Sequence, residues 1–249
     1  MRYKLTIEYD GTPFHGWQIQ DNLATVQGCI SDAIQKFTNT YVSVNGAGRT
    51  DSGVHANAQV AHIDLDDKWN EHTILNAINY HLRPNPITII KVEKTDGDFD
   101  ARFSAIKRYY IYKIINRNGH LSLKKNRALH VPRKLNTENM QKAAKLFIGK
   151  HDFTAFRSAH CQSKSPIKTL DNASIEIKED EINIHFNAKS FLHRQVRSMV
   201  GTLLKIGEND WPIDKISEIL KSQDRSQCGP VAGAHGLYLD KIDYPKESE

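Results

Sequence analysis

From Arg2 to Lys94 the spacing of apolar residues changes repeatedly, and that switching restricts the fold more than any other feature of the chain. "YKLTIEYDG" alternates apolar and polar residues and ends in a turn dipeptide, the pattern of a half-buried strand. Val26, Ile30, Ala33, Ile34 and Phe37 then recur at helical spacing, with Thr25 placed as a cap. Strand patterns return at "QVAHIDL", "ITIIKVEK", "RYYIYKII", "ASIEIKED", "INIHFNA" and "GLYLDKI". Helical patterns cover 71–82, 137–148, 191–206 and 212–221. Several strand pairs are too closely linked for parallel crossovers, so the pattern predicts an α+β fold with a mostly antiparallel central sheet flanked by helices.

The order strand, helix, strand, helix, strand over residues 2–94 is echoed less regularly over 108–242. Two related subdomains, 1–104 and 105–249, are expected to meet near residues 100–107. No Pro/Gly/Ser linker separates them, which predicts a continuous sheet and a binding cleft between the two.

Composition excludes some classes. With 39% hydrophobic and 25% charged residues the chain has the make-up of a globular protein. No apolar run approaches the roughly 18 residues of a spanning helix, and "MRYKLTIEYDG" lacks the apolar centre of a secretion signal, so a cytoplasmic location is expected. Cys29, Cys161 and Cys228 are odd in number and far apart, which predicts reduced, buried thiols.

Charge is unevenly placed. The net value is +5, yet residues 101–137 hold ten Lys/Arg and no acid, leaving the remainder at −5. A solvated face is the ordinary explanation of a charge run. Aromatics interleaved with the cations in "KRYYIYK" argue equally for a polyanion footprint, because clustered positive charge gains from counterion release.

Three stretches have the residue types for chemistry. In "NGAGRTDSGVHA" glycines surround Arg49 and Asp51, so the backbone can approach a ligand while both side chains stay at an exposed bend. An Asx-turn is the bland explanation of Asp51, but turn chemistry needs no arginine. His55, His62 and Asp64 lie close in sequence without an H-x-x-x-H or H-E-x-x-H frame, and no metal ligand set is assigned. Ser52 lies in no G-x-S-x-G frame.

In "FLHRQVRSMVGTLLKIG" an apolar stripe of Leu192, Val196, Met199, Val200 and Leu203 is flanked by His193 and Arg197, one turn apart. An arginine bordering a buried stripe commonly needs a carboxylate partner. Gly201 costs about 1 kcal/mol relative to Ala inside a helix, a cost that points to close backbone packing. In "KRYYIYKII", Tyr110 and Tyr112 share one strand face and Tyr109 and Ile111 the other.

Taken together, "GRTDSGVHA", "FSAIKRYYIYKI" and "FLHRQVRSMVGTL", with the early "DGTPFHGWQ", closely resemble the tRNA pseudouridine synthase A family, in family order from Tyr9 to about Leu239. The resemblance implies that Asp51 is the catalytic aspartate and that Arg49 helps hold RNA with the target base out of the stack. Four residues separate "FSA" from Tyr110, which makes Tyr110, not Tyr109, the implied active-site tyrosine. Arg197, in V-R-x-M-V-G, matches the arginine that pairs with the catalytic carboxylate. Ser52 stands where the family often has Ala. The implied activity is isomerisation of uridine to pseudouridine at positions 38–40 of the tRNA anticodon stem-loop, without cofactor or metal, by a homodimer.

Two other functions fit parts of the chain. A noncatalytic RNA-binding module would use the basic segment and tyrosines, and a metal-dependent hydrolase would use His55, His62 and Asp64. Neither explains all three stretches.

Overall fold

The computed structural model describes residues 1–159 and 161–245. Its described residues form five helices and ten strands in two compact units. One unit spans Met1–Ile106 and regains the chain from Tyr238 onward; the other spans Lys107–Leu237. The units are thus not contiguous in sequence, since the last strand returns to the first unit. The architecture is α+β with mostly antiparallel pairing.

The first unit contains β1 (Arg2–Tyr9), α1 (Val26–Thr38), β2 (Asn45–Gly46), β3 (His55–Asp64), α2 (Glu71–Leu82) and β4 (Ile87–Thr95). β1 lies between β3 and β4, antiparallel to both, and buries Tyr3, Leu5, Ile7 and Tyr9 from one face, as strand alternation requires. α1 starts where expected: the Thr25 side chain accepts the Gly28 N–H, and Val26, Ile30, Ala33 and Ile34 are buried. Asn70 caps α2 in the same way through the Thr73 N–H, and Ile74, Ile78 and Leu82 face inward. Phe37 completes the packing with its ring 4.6 Å from that of Trp69.

The second unit contains β5 (Lys107–Asn116), β6 (Leu129–Val131), α3 (Thr137–Lys145), β7 (Gly149–Asp152), β8 (Ile167–Lys178), β9 (Glu181–Ala188), α4 (Gln195–Gly207) and α5 (Lys215–Ser222). Strand order is β5-β9-β8-β7, antiparallel throughout, with β6 parallel to β5. α3 and α4 pack closely, since a Cβ on Gly207 would lie 2.5 Å from the Met140 sulfur. The final strand β10 (Leu237–Asp243) pairs parallel with β3 through Tyr238 opposite His55.

The structure shortens three expected helices. The one expected over 191–206 begins only at Gln195, because Arg194 adopts a left-handed φ of 63° and the Gln195 side chain accepts the Leu192 N–H in a tight turn. Leu192 and His193 therefore precede α4. The helices expected over 137–148 and 212–221 are replaced by 137–145 and 215–222. The three cysteines are free, but all are partly exposed instead of buried.

Candidate active site

Asp51 lies on a bend between β2 and β3, and that bend is clamped by the residues following β1. The Trp17 N–H donates to the Thr50 carbonyl (3.1 Å), and the Gly53 N–H and Ser52 hydroxyl donate to the Phe14 carbonyl (3.3 and 3.2 Å). Below the bend, the Tyr9 hydroxyl meets the Thr50 hydroxyl at 2.8 Å, both groups buried. The Val54 N–H closes the turn on the Asp51 carbonyl at 3.1 Å. On the approach, the Gln59 amide donates to the Gly48 carbonyl at 3.0 Å.

Two glycines make this clamp possible. A Cβ on Gly11 would sit 2.0 Å from the Val54 carbonyl oxygen. Gly16 has a φ of +93°, and its Cβ would lie 2.6 Å from the Thr50 oxygen. Gly48, by contrast, has nothing within 4 Å of its Cβ position, so proximity does not require glycine there. The "DGTPFHGWQ" stretch thereby acquires a structural role as the buttress of the Asp51 bend. Sequence spacing could not assign that role, because the contacts join positions distant in the chain.

Asp51 is half-buried and Arg49 exposed on the same bend, with Arg49 Nε donating to Gln18 Oε1 at 3.2 Å. Ser52 spends its hydroxyl on the Phe14 carbonyl, a scaffold contact. His55 is buried, accepts the Gly11 N–H at Nδ1 (3.0 Å) and stacks on Tyr238 with centroids 4.6 Å apart. His62 accepts the Ala101 N–H at Nδ1 (3.0 Å), and burial pushes its pKa below the usual histidine value. Asp64 is gripped by Arg2 through both carboxylate oxygens, at 2.9 and 2.8 Å. These three residues are engaged separately, and no cluster of three or more metal-ligating side chains occurs among the described residues.

Tyr110 and Arg197 belong to the second unit. On β5, Tyr110 is half-buried and meets Phe191 edge-on, with centroids 5.1 Å apart. Two residues on, Tyr112 is fully buried and its hydroxyl donates to the Gly233 carbonyl at 2.8 Å; burial raises its pKa well above the ordinary phenol value. Of the two tyrosines on this face, Tyr112 is committed to the scaffold and Tyr110 is the more accessible.

Arg197 projects from α4 and donates Nε to the Ala232 carbonyl (2.8 Å), while the Ala232 N–H donates to the Arg197 carbonyl (3.1 Å). Segment 229–236 thus runs as a strap over α4. The Gly229 N–H donates to the Thr202 hydroxyl (3.1 Å), and a Cβ on Gly201 would lie 1.7 Å from the Pro230 oxygen. His235, on the strap, has its pKa lowered by burial and then by the positive charge of Arg197. Nothing in the sequence motifs pointed to this strap.

Comparison with known proteins agrees with the motifs. The family model described as tRNA pseudouridine synthase matches residues 5–104 and 143–245. The tRNA pseudouridine synthase A of Azorhizobium caulinodans is 52% identical over 246 residues, covering 99% of this chain and 95% of that protein. Those of Xanthobacter autotrophicus and Rhodopseudomonas palustris (strain BisA53) are 51% and 53% identical over 243 residues, covering 98% of this chain and 99% of each relative. The chain belongs to the tRNA pseudouridine synthase family of isomerases.

Proposed function

We propose that this enzyme converts uridine to pseudouridine at positions 38–40 in the anticodon stem-loop of tRNA, with Asp51 carrying the reaction. It acts as a cytoplasmic homodimer and uses no cofactor or metal. The observation that supports Asp51 most is its place on a bend whose backbone is clamped from below and from the preceding loop, since a reacting carboxylate gains from a fixed position.

The reaction breaks the N1–C1′ bond, turns the uracil and joins C5 to C1′; C5 loses its proton and N1 gains one. An ionised Asp51 adds to C1′ or C6, or removes the C2′ proton to give a glycal. Each route begins from the carboxylate and from a base drawn out of its stack. Arg49 holds the RNA, Tyr110 offers a ring to the extracted uracil, and Arg197 is assigned, by its motif, as the arginine that serves the catalytic carboxylate.

The experiment is to incubate the enzyme with tRNA and map pseudouridine, using the parent and Asp51→Asn. The parent forms pseudouridine at positions 38–40, and Asp51→Asn binds tRNA, folds and forms none. Modification confined to the T-arm or to ribosomal RNA defeats the site assignment, and an Asp51→Asn enzyme working near the parental rate defeats the catalytic one. Sedimentation at working concentration checks the dimer.

A further inference from the structure

Phe103 is 79% exposed, more than any other aromatic side chain among the described residues. Single exposed apolar residues are ordinary, and exposure alone decides nothing. What distinguishes this ring is how firmly its backbone is held. The Asp100 carboxylate accepts the N–H groups of both Arg102 and Phe103 at 2.8 Å, and the Asp100 N–H donates to the Ser104 hydroxyl at 3.0 Å. Ala101 at the centre is fully buried, its N–H donating to His62 and its carbonyl accepting the Tyr244 hydroxyl at 2.6 Å.

This turn has no need of an aromatic side chain, yet its hydrogen-bonded backbone holds one out in the open. The Arg102 guanidinium lies 5.3 Å from the centroid of the Phe103 ring, which joins a positive charge to an open π surface. Phe103 also stands at the start of the 101–137 segment, which holds ten cations and no acid. A flat ring beside a cation is suited to an unstacked nucleobase and its phosphate, because base stacking on an aromatic tolerates any base and the charge engages the backbone.

We propose that Phe103, with Arg102 beside it, is a stacking platform for a second unpaired base of the RNA substrate, distinct from the uridine that reacts. The proposal rests on the reading of the enzyme as acting on tRNA. Phe103 binds substrate and takes no part in bond making.

The test compares the parent with Phe103→Ala and Phe103→Trp in tRNA binding, steady-state kinetics and sedimentation. The ring is exposed, so both variants fold with parental thermal stability. Phe103→Ala raises KM and the tRNA dissociation constant by about 5- to 150-fold, with kcat nearly unchanged. Phe103→Trp keeps parental affinity, and saturating tRNA quenches its additional fluorescence.

Three results overturn the platform while leaving the isomerase reading intact: parental KM in Phe103→Ala, no additional quenching in Phe103→Trp, or a change in sedimentation showing that the ring is covered by a second copy of this chain. If the parent forms no pseudouridine in tRNA but Phe103→Ala still weakens RNA binding, the functional reading falls and the platform stands.

Discussion

Arg197 Nε donates to the carbonyl oxygen of Ala232 at 2.8 Å, fixing the root of the guanidinium from which a planar fork of further N–H donors extends. A lysine carries the same charge, but its three donors radiate from one atom and lack the planar fork that would bond the strap carbonyl and, in the proposed role, also serve a carboxylate. Arg197→Lys is therefore expected to keep the fold but to lower kcat/KM by about 10- to 100-fold, the equivalent of one lost charge-assisted hydrogen bond. Arg197→Ala should lose more. Kinetics beside denaturant unfolding check this, and parental activity in the lysine variant would leave the fork without a role.

Gly201 and Pro230 make the strap sensitive to a single methyl group. A Cβ at 201 would meet the Pro230 oxygen at 1.7 Å and the adjoining carbon at 2.8 Å, and α4 cannot yield because it is buried along most of its length. Gly201→Ala should push the strap off the helix and cost about 1–3 kcal/mol, despite the better helix propensity of alanine. Activity should fall more than stability accounts for, since Arg197 and Tyr112 both bond to the displaced segment. Urea midpoints paired with kcat test the two effects separately.

Gly201 also marks how far the sequence could be read. Its cost inside a helical pattern pointed to close packing, but the partner, Pro230, lies far along the chain on a segment without periodicity. The start of α1 and both bounds of α2 were legible, because their apolar faces are regular and Thr25 stands at a cap position. The start of α4 was not, because the left-handed Arg194 breaks a periodicity that runs on through Leu192. Asp51, Arg49, Tyr110 and Arg197 stood out through their motifs. The clamp of Gly11, Gly16 and Trp17 did not, being built from backbone groups that carry no pattern.

His62 gives the fold a pH dependence with a definite sign. Its Nδ1 already accepts the Ala101 N–H, so protonation there sets two donors against each other, and burial lowers the pKa further. The unfolded state then binds more protons than the folded state in the window below the ordinary histidine value of about 6.5. Stability must rise with pH through that window and fall as the pH drops below about 6.5, flattening only beneath the folded-state pKa. His235, lowered for the same primary reason, adds to the trend. Unfolding midpoints measured from neutral pH down to about 5 should decline, and His62→Gln should reduce the slope, although its baseline stability will be lower. A slope unaltered in that variant would mean that other groups set the dependence.

The basic segment is less free than its sequence suggests, because acids on and beside β8 and β9 neutralise part of it. Lys107 pairs with Asp171 at 2.9 Å, Arg117 with Asp180 at 3.0 Å, and Lys124 with Glu181, whose carboxyl the ammonium holds below the usual range. Exposed pairs of this kind contribute little to stability, so breaking one changes the charge offered to RNA more than it changes the fold. Glu181→Gln should release Lys124 for phosphate, tighten tRNA binding and steepen the salt dependence. Lys125→Ala should do the opposite, weakening binding and reducing the slope of log K against log salt by about 1 if Lys125 meets one phosphate. Titrations over a range of salt concentrations measure both, with kcat expected to stay near parental because neither residue is among those proposed to carry the reaction. If the two substitutions leave both affinity and slope unchanged, the segment is a solvated face and the tRNA footprint must lie elsewhere on the protein.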